Sequence, residues 1–195
     1  MLSERQTEII DTSIEIIANK GIQGLTIKNL AKEIGISEPA IYRHFSSKSD
    51  ILIHILDNFK QMASFMGDMM QSNSSPALDK IEFMFSRIIE IFMETPSYLS
   101  VIFSEEIFKN NETLQQKVVE IMNHNEATIE QIIKQGQENG EIRDDIDGIS
   151  LALIVMGSLR FKVKQWDLRN TNSGLQEEGQ NLIENLKKLL QPINQ

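Results

Sequence analysis

The chain has 195 residues, enough for one ordinary core with a small appended unit, and its 28 Asp/Glu against 19 Lys/Arg leave a net charge of −9. It contains no cysteine, which excludes disulfides and thiolate metal sites and fits a reducing compartment. The opening MLSERQTEII carries acids and no long apolar core, and no later run approaches the roughly eighteen apolar residues of a membrane span, so the expectation is a soluble, cytoplasmic protein with no membrane partner.

Ser3 and Gln6 form a capping-box pattern ahead of a helix whose Ile9, Ile10, Ile14, Ile17 and Ala18 share one apolar face, and Asn19-Lys20-Gly21 stops it. Thr26 is placed to cap a short amphipathic helix over 27–34, with Ile27, Leu30, Ala31 and Ile34 at helical spacing and Gly35 as its left-handed exit. Ser37 is placed to cap the next helix, Pro39 falls in its first turn, and Ala40, Ile41, Tyr42 and Phe45 follow. A small residue at Ala31, a bend at Gly35 and a branched residue at Ile41 make a helix-turn-helix, and the first helix buttresses it from behind. Such a pair leaves its second helix free to enter a DNA major groove.

Ser47 opens a long helix in which Ile51, Leu52, Ile55, Leu56, Phe59, Met62, Ala63, Met66 and Met69 recur at three- or four-residue spacing, which predicts a rod of roughly 34 Å or more linking two halves. Residues 72–76 form a polar linker, and a helix begins near Ala77. In residues 81–93 apolar side chains fall on nearly every side, so this helix is expected to be surrounded by others. Further helices are expected over 98–108, from about Leu114 to Gly136, from just after Asp144, Asp145 and Asp147, whose negative charge suits a helix N-terminus, to about Trp166, and from Leu175 to Leu190. The fold class is therefore all-α: an N-terminal three-helix bundle with a helix-turn-helix over residues 1–46, and a larger helical domain over residues 47–195.

Thr26, Leu30, Ala31, Gly35, Ile36, Ser37, Ile41, Tyr42, His44, Phe45, Lys48 and Leu52 together resemble the DNA-binding signature of the TetR/AcrR family of bacterial regulators. The resemblance is strong over residues 3–56 and covers the remainder only in helix order and length. It implies a homodimer paired through its last two helices, a palindromic double-stranded operator, and a small hydrophobic inducer that binds among the middle helices and alters the spacing of the two reading heads. It also assigns Tyr42 and His44 to phosphate contacts.

The remaining candidates come from position and chemistry. Thr26 and Ser37 can donate hydroxyl hydrogen bonds to phosphate besides capping, and Lys28 joins them as a candidate DNA-binding cation. Arg43 suits guanine, Glu38 cytosine N4 and Ala40 a thymine methyl, with Pro39 beside them; each also fits a plain solvated face. Lys48, at the first position of a helix, opposes the dipole, so a phosphate there explains it better than structure does, although a solvated lysine is the bland alternative. The acidity suits this reading, because residues 1–50 carry six basic and seven acidic side chains while residues 51–195 carry thirteen and twenty-one.

Nine Met and nine Phe suggest an adaptable apolar pocket, with Phe65, Met66, Met69, Phe83, Met84, Phe92, Phe103, Met122 and Trp166 as candidate lining, although such stripes also make ordinary core. The histidines His44, His54 and His124 lie at no metal-ligand spacing, and no phosphate loop or nucleophile motif is present, so neither enzyme, metal nor cofactor is expected. The function expected is a ligand-released repressor. The alternative is a DNA-bound scaffold that recruits a protein partner through its C-terminal domain without an inducer.

Overall fold

The structure is a computed structural model that describes residues 2–72, 74–103, 111–169 and 174–193. Among these residues the chain is all-α: α1 Glu4–Gly24, α2 Ile27–Ile34, α3 Glu38–Tyr42, α4 Lys48–Gln71, α5 Ala77–Glu94, α6 Ser97–Ile102, α7 Glu112–Glu138, α8 Gly148–Arg169 and α9 Leu175–Leu190. It divides into two compact units, one of Met1–Gln61 with Thr95–Glu120, the other of Met62–Glu94 with Ile121–Gln195.

In the first unit, the Ser3 hydroxyl accepts from the Gln6 N–H while the Gln6 side chain accepts from the Ser3 N–H, the reciprocal cap expected at the start of α1. Ile9, Ile10, Ile14 and Ile17 are buried as their spacing requires, and Ala18 is half-buried. The expected stop at Gly21 is instead a kink. Gly21 adopts φ 67° and ψ 177°, a region open to glycine, and a last turn resumes to Gly24, which brings Ile22 and Leu25 into the core. α6 packs on α1, and Tyr98 meets Phe59 edge-on at 5.1 Å. Asn111 caps α7 by accepting from Leu114 N–H, and Lys117 pairs with Asp57 at 2.7 Å. The helix expected over 98–108 is described only to Ile102; residues 104–108 lie outside the described residues.

In the second unit α5 packs against α9, which in turn packs on α8. α5 is not surrounded as expected. Ile81, Met84, Phe85, Ile89 and Phe92 are buried, but Phe83, Arg87, Glu90 and Glu94 form an exposed strip at helical spacing, so the helix has a solvent side that its apolar content concealed. Gly136 sits where an added Cβ would lie 2.7 Å from Ala77 Cβ, so its lack of a side chain lets α7 approach the start of α5. Asp147 caps α8 by accepting from both the N–H and the hydroxyl of Ser150, at 2.9 and 2.7 Å, as the acidic run ahead of that helix foretells.

Candidate nucleic-acid interface

The reading head is built from α2, the turn and α3. The Thr26 hydroxyl accepts from Asn29 N–H at 3.1 Å, and the Asn29 side chain donates to Gly24 carbonyl at 2.9 Å, so the entry to α2 is fixed from both sides. Gly35 leaves α2 at φ 79°. There its own N–H and that of Ile36 both donate to the Ala31 carbonyl, at 3.0 and 2.9 Å, a Schellman-type exit that an L side chain resists. Ala31 and Ile41 are buried at the crossing, and Phe45 is buried behind it.

Ser37 occupies the N-cap position of α3, yet its side chain makes no capping bond, a departure from the capping role expected of it; only its carbonyl is used, by Ala40 and Ile41 N–H. The hydroxyl is thus left for an external acceptor. Pro39 sits in the first turn as expected. Thr26, Lys28, Ser37, Glu38, Pro39, Tyr42 and Arg43 are exposed, Ala40, His44 and Lys48 half-buried. Tyr42, at 54% exposure, is the largest aromatic surface of the head. Lys28 and Arg43 form no ion pair with any described residue, whereas Lys20 is held near Glu33 at 3.6 Å.

Lys48 corrects the dipole argument. Its ammonium donates to the Ile22 carbonyl at 2.8 Å, giving it the structural partner that reasoning from the helix start denied it. Burial holds its pKa below the usual lysine value. An ammonium has three donors, so this bond leaves others for a phosphate. Beside it, Ser47 accepts from Asp50 N–H, and the Asp50 carboxylate accepts from the Ser46 N–H and hydroxyl at 2.7 and 3.0 Å. The Ser46 backbone bond chiefly, helped by the Ser46 hydroxyl and His54, holds Asp50 below the ordinary carboxylate range despite some desolvation. His54 packs edge-on against Phe45 at 5.1 Å.

The nine residues expected to line an apolar pocket differ widely in exposure. Phe65, Met69, Phe83 and Met122 are exposed, with Phe65 at 65%, because each falls on the solvent strip of its own helix. Met84 and Phe92 belong to the core around α5, and Met66 and Phe103 are half-buried. Trp166 is half-buried, and its indole N–H is shielded without a hydrogen-bond acceptor among the described residues. The second unit does hold a polar cavity, lined by none of these nine. Two residues that spacing arguments passed over matter here: Asn29, which locks α2 onto Gly24, and Lys80, which stands among the buried positions of α5. The signal for Lys80 was available, since it shares a stripe with Ala77, Met84 and Phe92.

No helix among the described residues is long and apolar enough to cross a membrane, and no three His, Asp or Glu side chains there are placed to hold a metal ion.

Residues 9–55 match the family model described as bacterial regulatory proteins, tetR family, and residues 58–190 match that of the YsiA-like protein C-terminal region. The chain is 26% identical over 161 residues to the fatty acid metabolism regulator protein of Bacillus subtilis, covering 82% of this chain and 81% of that one. It is 23% identical over 156 residues to the nucleoid occlusion factor SlmA of Aliivibrio fischeri, 80% of each chain. Its fold superposes with a TM-score of 0.80 on FadR from Bacillus subtilis in complex with stearoyl-CoA, at 24% identity over 92% of this chain and 96% of that one.

Proposed function

Because the chain belongs to the TetR family of bacterial regulatory proteins, helix-turn-helix DNA-binding transcription regulators, we propose that it is a homodimeric repressor of a palindromic operator, released by a hydrophobic small molecule. One observation carries the DNA side of this reading: Arg43 and Lys28 are exposed and form no ion pair among the described residues, and the Ser37 hydroxyl makes no capping bond, on the two helices of the turn. Arg43 is assigned to a base edge, with Glu38, Pro39 and Ala40 beside it. Thr26, Lys28, Ser37, Tyr42, His44 and Lys48 are assigned to phosphates, which fix register without reading sequence.

The dimer is assigned to the last two helices. α8 buries Leu151, Ala152, Val155, Leu159 and Val163 within its own unit, yet exposes Ile149, Leu153, Phe161 and Leu168 along another side, with Gly157 on that side and open space where its Cβ would be. A second copy of the same helix pair covers such a face symmetrically. The working division is a DNA-binding region over residues 1–46 and a ligand-binding and dimerisation region over 47–195, in a cytoplasmic protein.

The inducer class is a long-chain acyl thioester. Its support is the likeness to a fatty acid metabolism regulator and to a FadR solved with stearoyl-CoA. The ligand lowers operator affinity only by as much as it prefers the conformation that binds DNA poorly. Operator fragments selected from random DNA, followed by fluorescence anisotropy with and without stearoyl-CoA, test both halves: palindromic selection and release by the thioester are expected. Retention of DNA with no response to any acyl thioester supports instead a DNA-bound scaffold that recruits a protein partner, a reading favoured by the likeness to a nucleoid occlusion factor.

A further inference from the structure

Four glycines lie within helices of the second unit, at Gly67, Gly136, Gly157 and Gly179, and three of them have a reason inside the chain. A Cβ added at Gly67, Gly136 or Gly179 would press on Thr128, Ala77 or Ile89. Gly157, in the middle of α8, differs. Its Cβ would meet no described residue within 4 Å, and its φ is not positive. Neither packing within one copy nor backbone conformation calls for glycine there, and glycine is a poor helix former. The residue is accounted for by something outside the copy that comes too near for a side chain.

Its surroundings say what that is. At about 100° per residue, the exposed Ile149, Leu153, Phe161 and Leu168 fall around Gly157, and the sector they make lies opposite the buried Leu151, Val155 and Leu159. α8 is therefore apolar on two opposite sides, only one of which serves its own unit. The neighbouring α9 is not, since Gln180, Asn181, Glu184 and Lys188 are exposed along it. A glycine one turn from a leucine on one side and one turn from a phenylalanine on the other is complementary to itself turned end for end. The two Gly157 backbones then meet, and each Leu153 lies over the partner's Phe161.

Charge fixes the direction of the crossing. The second half of α8 holds Arg160, Lys162, Lys164 and Arg169 against Asp167 and the Glu178 carboxylate that pairs with Lys162 and Arg169, so it stays basic. The first half, residues 148–157, is uncharged, and Asp144, Asp145 and Asp147 stand ahead of it with Arg143 alone to offset them. Two copies running in the same direction would set basic half on basic half and Phe161 on the partner's Phe161. Running oppositely, each basic half meets the partner's acidic entry. We infer that two copies of α8 cross in opposite directions with Gly157 at the point of closest approach. This rests on the dimer assigned to the last two helices and adds the residue on which the contact turns.

The chain has no cysteine, so introduced thiols report alone. Positions 153 and 161 lie about 12 Å apart along one helix, beyond the ~7 Å that a disulfide spans between Cα atoms, so any bond between them joins two copies. Under mild oxidation the double variant L153C/F161C is expected to give a covalent dimer on non-reducing gels, and L153C or F161C alone to stay uncrosslinked. G157A, which favours an isolated helix, is expected to weaken dimerisation about tenfold in sedimentation, and G157L to abolish it at micromolar concentration. Ready disulfides in either single variant, none in the double variant, or an unweakened dimer in G157A and G157L overturns the crossing. If the parent chain sediments as a dimer in those cases, the dimer itself stands; a monomeric parent overturns both.

Discussion

The ammonium of Lys48, at the first position of α4, donates to the Ile22 carbonyl of α1 over 2.8 Å and twenty-six residues of chain. This bond joins the kinked end of the supporting helix to the start of the long one, and the helix-turn-helix lies in the sequence between them. The same side chain whose place at a helix start proposes it for a phosphate contact therefore also closes the head upon itself.

Removing that bond tests both roles. K48M is expected to cost about 1 kcal/mol of stability, since a hydrogen bond from a charged donor is lost but the apolar stem keeps its packing. Urea unfolding followed by circular dichroism measures this, and operator affinity at low salt measures the phosphate role. Unchanged unfolding with weakened DNA binding would remove the structural tie and leave a phosphate contact alone.

Arg43 and Lys28 are expected to fail differently. R43A should cost ~1–3 kcal/mol in operator binding and relax the preference at one base pair, whereas K28A should weaken all sequences alike and lower the salt slope by about one. Competition between operator and scrambled duplexes across a salt series separates the two. Equal losses on operator and scrambled DNA in R43A would reassign that arginine to the backbone.

The exposed side of α8 makes a third prediction. Leu153 and Phe161 are 64% and 65% exposed, so charging either leaves the folded unit intact, while a symmetric apolar interface cannot accept two buried carboxylates. L153E and F161E are expected to sediment as folded monomers and to lose most of the operator affinity of a two-headed particle. A dimer that survives both changes places the interface on another surface.

The sequence exposed the reading head best because its rules are local. Thr26, Gly35 and Ser47 act within a few residues of themselves, and their backbone roles could be read from type and spacing. Lys48 could not be read this way, since its acceptor lies across the fold at Ile22. The same limit explains α5. Composition made residues 81–93 look buried all round, but burial depends on which neighbours arrive, and none covers Phe83 or Met93 in the described chain. The Met and Phe wealth meets the same limit: apolar type says that a residue can line a cavity, not how far Phe65 or Met122 will be exposed.

The cap at the start of α4 makes the final prediction, a dependence on pH. Asp50 is held below its ordinary value near 3.8, chiefly by the Ser46 N–H, so the unfolded chain takes up its proton at higher pH than the folded one. Its contribution is complete above the ordinary value and is lost as pH falls through the lower folded one. Asp11 acts in the opposite sense, because burial raises its pKa and the folded state binds the proton first. D50N keeps the shape of the cap but weakens its hydrogen bonds, and is expected to cost about 1 kcal/mol at neutral pH. Urea midpoints of the parent and D50N from pH 7 to pH 3 should therefore differ at neutrality and converge below about pH 4, as Asp50 of the parent is neutralised. Parallel curves across that range would mean that the Asp50 charge contributes nothing to holding Ser46 at the head of α4.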